Sequence, residues 1–145
     1  MKKIITNSEA ETFAFAKKFA SGLSFGDVIC LSGDLGVGKT IFTKGICDFF
    51  GVADIVNSPT FTLVNEYLSD SGNTIYHFDM YRIDDEDELV EIGFDDYINS
   101  GALTIIEWPE KIPYSLPKKR IAISIMRSDE GSNDDTRIIT VEEHI

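Results

Sequence analysis

Eight consecutive residues, Gly33-Asp34-Leu35-Gly36-Val37-Gly38-Lys39-Thr40, fit the pattern G-x-x-x-x-G-K-[ST]. The chemistry they point to is phosphate binding. Glycines let backbone N–H groups turn inward around the α- and β-phosphates, and a helix that begins at the loop adds its partial positive charge. Lys39 would reach the β- and γ-phosphates of a nucleotide, and the Thr40 hydroxyl would coordinate Mg²⁺. A glycine-rich turn that binds nothing could look similar. Here, however, the loop lies between a continuous apolar run, Val28-Ile29-Cys30-Leu31, and a helical stretch, as the motif's mechanics demand.

A magnesium nucleotide also needs a carboxylate near Thr40, and sites on parallel sheets collect at the C-terminal ends of strands. Glu107 ends Leu103-Thr104-Ile105-Ile106-Glu107, the Walker-B arrangement with Glu in place of Asp, and Asp79 ends Ile75-Tyr76-His77-Phe78-Asp79 in the same way. One could act on the metal and the other through a water or on the attacking water; otherwise they are strand-end carboxylates in caps or surface pairs. Ser58-Pro59-Thr60-Phe61-Thr62 stands where switch loops carry a Thr, here Thr60 or Thr62, toward Mg²⁺ and the γ-phosphate, although Ser-Pro-Thr is also plain turn chemistry. His77 alternates with Asp79 on one strand face, placed either to orient that carboxylate or simply to pack. Arg82 could meet transition-state charge or pair with the acids that follow it. Trp108 is either core or a contact surface.

These residues need a scaffold, and the rest of the sequence supplies one. Ser8 and Glu11 have capping-box spacing ahead of a helix over residues 9–21, and a second helix over 39–50 ends at Gly51. Residues 61–68 and 74–81 read as an antiparallel pair joined by a polar turn, and 120–127 with 136–141 as a terminal hairpin. Residues 84–99 hold one or two short helices broken near Gly93. The fold expected is α/β: one three-layer P-loop NTPase domain over 1–145, with a mixed, mainly parallel central sheet and antiparallel hairpin additions.

Composition narrows the function classes. With 13 Lys+Arg against 25 Asp+Glu the chain carries a net charge of −12, which repels nucleic-acid backbones and anionic lipids. The N-terminus lacks the apolar core of a signal peptide and no stretch is long enough to span a membrane, so a cytoplasmic protein is expected. Cys30 and Cys47 fall in apolar stretches and read as packing residues.

The four motifs together, the 33–40 loop, Ser58-Pro59-Thr60-Phe61-Thr62-Leu63-Val64, Tyr76-His77-Phe78-Asp79-Met80-Tyr81-Arg82 and Glu107-Trp108-Pro109, resemble in order and spacing the bacterial TsaE (YjeE) family of small P-loop ATPases. The resemblance implies an ATPase required for threonylcarbamoyl modification of adenosine 37 in ANN-decoding tRNAs, working with TsaB and TsaD partners; given the net charge of −12, tRNA is expected to be met only through them. It implies Thr40 and Glu107 on Mg²⁺, ATP on Gly33, Gly36, Val37, Gly38, Lys39, Thr40 and Ile41, and Asp79 supporting hydrolysis. An acidic residue near the first helix lies by the nucleotide in that family, which maps to Glu9. Val37 stands where many members have Ala, an exchange expected to be neutral because the loop works through its backbone. The segment after Pro109 matches poorly, and nothing functional is carried over there.

Two other classes stay in view, a small-molecule P-loop kinase and a non-catalytic ATP-dependent switch. A kinase needs arginines to close over the transferring phosphate. The chain has only Arg82, Arg120, Arg127 and Arg137, and none is expected to sit in an arginine cluster. The absence of an N-K-x-D motif favours ATP over GTP. The acids Asp84, Asp85, Glu86, Asp87, Glu88, Glu91, Asp95 and Asp96 form either a solvated helix face or a docking surface for a basic partner.

Overall fold

The computed structural model describes residues 1–59, 63–128 and 134–145. Along them run β1 (Lys2–Thr6), α1 (Glu9–Ala20), β2 (Val28–Ser32), α2 (Lys39–Phe49), β3 (Val64–Leu68), β4 (Thr74–Asp79), α3 (Glu88–Ile92), α4 (Phe94–Ile98), β5 (Leu103–Glu107), β6 (Arg120–Arg127) and β7 (Arg137–His144). The strands form one sheet in the order β1-β7-β6-β2-β5-β4-β3. β6, β2, β5 and β4 are parallel neighbours, and antiparallel pairings add β3 at one edge and β7 with β1 at the other. The mixed α/β sheet expected from the sequence is therefore present, with one strand more: β1 was not foreseen.

Alternation along the strands splits the core in two. Ile29 and Leu31 of β2, Ile75 of β4, Leu103 and Ile105 of β5, and Ile123 and Ile125 of β6 pack with Ala16, Phe42 and Ile46 of α1 and α2. Val28, Cys30, Phe78 and Ile106 point to the other face, where Leu89, Phe94 and Ile112 cover them. Helices on both faces make the three layers.

α1 starts at its capping box, with the Glu11 N–H donating to Ser8 Oγ at 3.1 Å. α2 packs against α1 at Gly45, where an added Cβ would stand 2.6 Å from both the Ala16 Cβ and the Phe13 carbonyl oxygen. Gly51 (φ 71°) ends α2, and Gly93 (φ 73°) separates α3 from α4 as the sequence predicts. Cys30 and Cys47 are buried, and burial pushes each thiol up to about 12, so both are packing residues. In the acidic run, Glu88 accepts from the Asp84 and Asp85 N–H groups and Glu86 from the Tyr114 N–H. Part of the run thus fastens its own segment, while Asp84, Asp87, Glu91, Asp95 and Asp96 face solvent. No helix among the described residues is long and apolar enough to cross a membrane.

Candidate nucleotide site

β2 delivers the chain into the 33–40 loop at the C-terminal edge of the parallel strands. Gly33 passes directly over β6, where a Cβ would lie 2.6 Å from the Ile125 carbonyl oxygen, and Gly36 and Gly38 take φ values of 75° and 122°. Nothing lies within 4 Å of where a Cβ on Gly38 would be. The result is an open cradle at the start of α2, where the first-turn N–H groups of Lys39, Thr40 and Ile41 have no intrahelical acceptor. Phosphate oxygens fit such a cradle.

Lys39 is buried at 5% exposure. Its Nζ donates to the Gly33 carbonyl at 2.6 Å and stands 3.7 Å from the centroid of the Trp108 ring. Burial lowers its pKa, opposed by the negative charges of Glu107, Asp79, Glu110 and Asp34. Trp108 has φ 58°, the one non-glycine residue with positive φ among the described residues. That turn, costing about 1–2 kcal/mol, swings the indole back over the loop lysine, with Tyr81 on it at 4.9 Å. Trp108 is thus a wall of the site.

The β4–β5 register pairs Asp79 with Glu107, so the two carboxylates end neighbouring strands side by side. Thr40 Oγ1 lies 2.9 Å from Ser58 Oγ, which donates to Glu107 Oε2 at 3.4 Å. Hydroxyl and carboxylate oxygens are the hard donors that Mg²⁺ takes alongside nucleotide phosphates, so this set fits the ion. Burial raises the Asp79 pKa; the Tyr81 N–H at 2.9 Å lowers it, Glu107 raises it further, and Lys39 and His77 lower it.

His77 corrects an expectation. Its side chain, 0% exposed, directs Nε2 to Glu107 Oε2 at 2.5 Å rather than to Asp79, and its Nδ1 lies 3.3 Å from the Tyr67 hydroxyl. A ring reaching to the next strand, not along its own, could not be read from spacing on one strand.

Glu9 and Ile41 line a small cleft with Gly36, Val37 and Gly38, which puts the start of α1 beside the loop. Val37 does more than lend its backbone: 2% exposed, it belongs to the core beneath the loop, so its size matters. Arg82 is exposed beyond β4. Thr60 and Thr62 lie outside the described residues; of the candidate switch segment, Ser58 is the member seen to reach Glu107.

The C-terminal hairpin corrects a second expectation. Arg127 and Arg137 are register partners across β6 and β7. Arg127 Nη2 donates to the Leu35 carbonyl at 3.3 Å and Arg137 Nε to the Val37 carbonyl at 2.7 Å. Two arginines that look isolated along the chain therefore brace the loop backbone from one side. The available signal was their position at the facing ends of a hairpin; the missing information was that the hairpin lies next to β2.

A glycine loop of this shape between a central parallel strand and a helix, with a Thr hydroxyl and strand-end carboxylates beside it, defines a P-loop NTPase-type domain. Its particular kind follows from comparison with known proteins. The family model described as "Threonylcarbamoyl adenosine biosynthesis protein TsaE" matches residues 6–138, and this chain belongs to the TsaE family. The "tRNA threonylcarbamoyladenosine biosynthesis protein TsaE" of Bacillus subtilis is 44% identical over 135 residues, spanning 93% of this chain and 81% of that protein. The protein of the same name from Rickettsia bellii is 41% identical over 138 residues, spanning 94% and 92%. The crystal structure of Bacillus subtilis YdiB matches with a TM-score of 0.80 at 36% identity, over 99% of this chain and 85% of that one. The similarity therefore runs well past Pro109, further than the motifs alone indicate.

Proposed function

We propose that this chain binds ATP with Mg²⁺ in the 33–40 loop and hydrolyses it as a component of tRNA threonylcarbamoyladenosine synthesis in the cytoplasm, with TsaB and TsaD as partners that handle the tRNA. The observation that carries the chemistry is the convergence of Thr40, Ser58, Asp79 and Glu107 at the start of α2. Family membership and the names of the relatives support the pathway.

In this reading the loop N–H groups hold the phosphates, and Lys39 leaves the Gly33 carbonyl to meet the β- and γ-phosphates. Thr40 and Glu107 hold Mg²⁺, which when bound neutralises charge on the phosphate oxygens. Asp79 positions the attacking water, whose oxygen bonds to the γ-phosphorus as the bond from that phosphorus to the ADP oxygen breaks, the water's protons leaving with the released phosphate. Glu9 borders the nucleotide. The kinase reading gains no support from Arg120, Arg127 and Arg137, each of which donates to a backbone carbonyl.

Phosphate release in the presence of the partners tests the assignment. Lys39→Ala and Glu107→Ala should each abolish stimulated hydrolysis, and full activity in either would sink it. Labelled γ-phosphate appearing on a small metabolite instead of as free phosphate would refute hydrolysis. A variant that binds ATP, cannot hydrolyse it and still supports tRNA modification in cells would establish the non-catalytic switch instead.

A further inference from the structure

Glu107 is 2% exposed, and both hydrogen bonds described for its carboxylate fall on Oε2, from His77 and from Ser58. A carboxylate only accepts, so His77 Nε2 carries the proton of that bond. On its other side, His77 Nδ1 faces the Tyr67 hydroxyl at 3.3 Å, and the same hydroxyl is 3.0 Å from the carbonyl oxygen of Asn57. Asn65 Nδ2 donates to that carbonyl at 3.0 Å and lies 3.3 Å from the hydroxyl. Asn57 immediately precedes Ser58, so the contacts close on themselves: Glu107, His77, Tyr67, Asn57, Ser58 and back to Glu107.

The cost of such an arrangement says that it does something. Fully burying an imidazole and a phenol among Ile75, Leu103 and Ile105 sacrifices their hydration, which an apolar pair of the same shape would not require. Burial also raises the Tyr67 pKa, keeping the hydroxyl protonated and able to donate. The Tyr67 hydroxyl has one proton to share between the Asn57 carbonyl and His77 Nδ1, and the step from Asn57 to Ser58 is covalent. The contacts therefore form a polar chain closed by the backbone that fixes its members together, whereas a lone His–Glu contact would fix one rotamer.

We propose that His77 and Tyr67 are positioning residues which set the orientation of the Glu107 carboxylate and the placement of the 57–58 segment jointly, so that the metal-binding oxygens form as one unit. The proposal rests on the assignment of Mg²⁺ to Thr40 and Glu107 above. Losing a hydrogen-bond partner behind a metal-binding carboxylate typically weakens metal affinity or activity 10- to 100-fold.

The test is calorimetric titration of ATP at a series of Mg²⁺ concentrations, alongside ATP titration in excess EDTA, thermal melting and phosphate release, on Tyr67→Phe, His77→Leu and His77→Gln. Tyr67→Phe and His77→Leu should raise the Mg²⁺ needed for half-maximal enhancement of ATP affinity about 10-fold, leave ATP binding in EDTA within about 2-fold, and overlap when combined. His77→Gln, which keeps an N–H toward Glu107, should recover most of the loss. Tyr67→Phe keeps the ring packing and so reports even if His77→Leu does not fold. An unchanged Mg²⁺ requirement in Tyr67→Phe overturns the proposal, as does a fall in EDTA binding equal to that with Mg²⁺, which would mark a purely structural role. Wild-type ATP affinity indifferent to Mg²⁺ would overturn the metal assignment and the proposal with it. Absence of phosphate release from the parent protein with the partners present, while the Mg²⁺ shift of the variants is intact, would refute the hydrolytic reading and support the positioning role.

Discussion

Alanine at Gly45 sets two effects of opposite sign against each other. Helix propensity alone favours Ala over Gly inside a helix by about 0.8–1 kcal/mol. Against this, the added Cβ would lie 2.6 Å from the Ala16 Cβ, 2.6 Å from the Phe13 carbonyl oxygen and 3.2 Å from the Lys17 nitrogen. All three are fixed to the α1 backbone and none is the movable end of a side chain. Restoring ordinary contact distance means parting the helices by roughly 1 Å, which also loosens Phe42 from the Phe15 and Phe19 rings, whose centroids lie 6.1 and 5.9 Å away. Overpacking of this kind costs about 1–3 kcal/mol, and because a whole helix contact must move the upper half of that range applies. The net is a loss of about 1–2 kcal/mol, a melting temperature lower by roughly 3–8 °C. Urea and thermal denaturation followed by circular dichroism would read it. A variant as stable as the parent, or more so, would mean that propensity wins and that the helices do not pack as closely as described.

Asp79→Asn should raise the melting temperature at pH 7 while lowering hydrolysis about 100-fold or more. The folded protein holds the Asp79 pKa above its unfolded value, so the stability the protonated acid contributes is present below about pH 4 and lost as pH rises through the folded value. The advantage of Asn should therefore shrink on acidification, and equal melting at pH 7 would contradict it. Arg137→Ala removes the 2.7 Å bond to the Val37 carbonyl and should weaken ATP binding about 10-fold, whereas Arg127→Ala, with a longer and more exposed bond to Leu35, should cost about 2- to 3-fold. Calorimetry giving the reverse order would show that the loop is not braced in this way.

What could be read from the sequence was whatever is local. Gly36, Gly38, Lys39 and Thr40 declare their purpose within a few residues, and Gly93 with φ 73° marks its break wherever the segment sits. Asp79 and Glu107 could each be recognised as a strand-end acid, but their pairing needed the register of β4 on β5. His77 was legible as a buried polar residue and illegible as the partner of Glu107. Tyr67 carried no signal, and Arg127 and Arg137 carried only their places at the facing ends of a hairpin, since each acts through an element placed by the order of strands in the sheet. β1 escaped because five residues containing two lysines show little alternation and their strand partner, β7, lies far along the chain.

The strand order also bears on how the chain is made. β2, which launches the nucleotide loop, is flanked by β5 and β6, and β6 comes after every other strand of the parallel set in the chain. Until the hairpin of β6 and β7 emerges, over a few seconds at 5–20 residues per second, β2 keeps one unpaired edge along Val28-Ile29-Cys30-Leu31, and the loop lacks both bracing arginines. A nascent or prematurely stopped chain therefore presents a sticky apolar edge and no finished nucleotide cradle. Such fragments are expected to be clients for chaperones and proteases and not idle competitors for ATP.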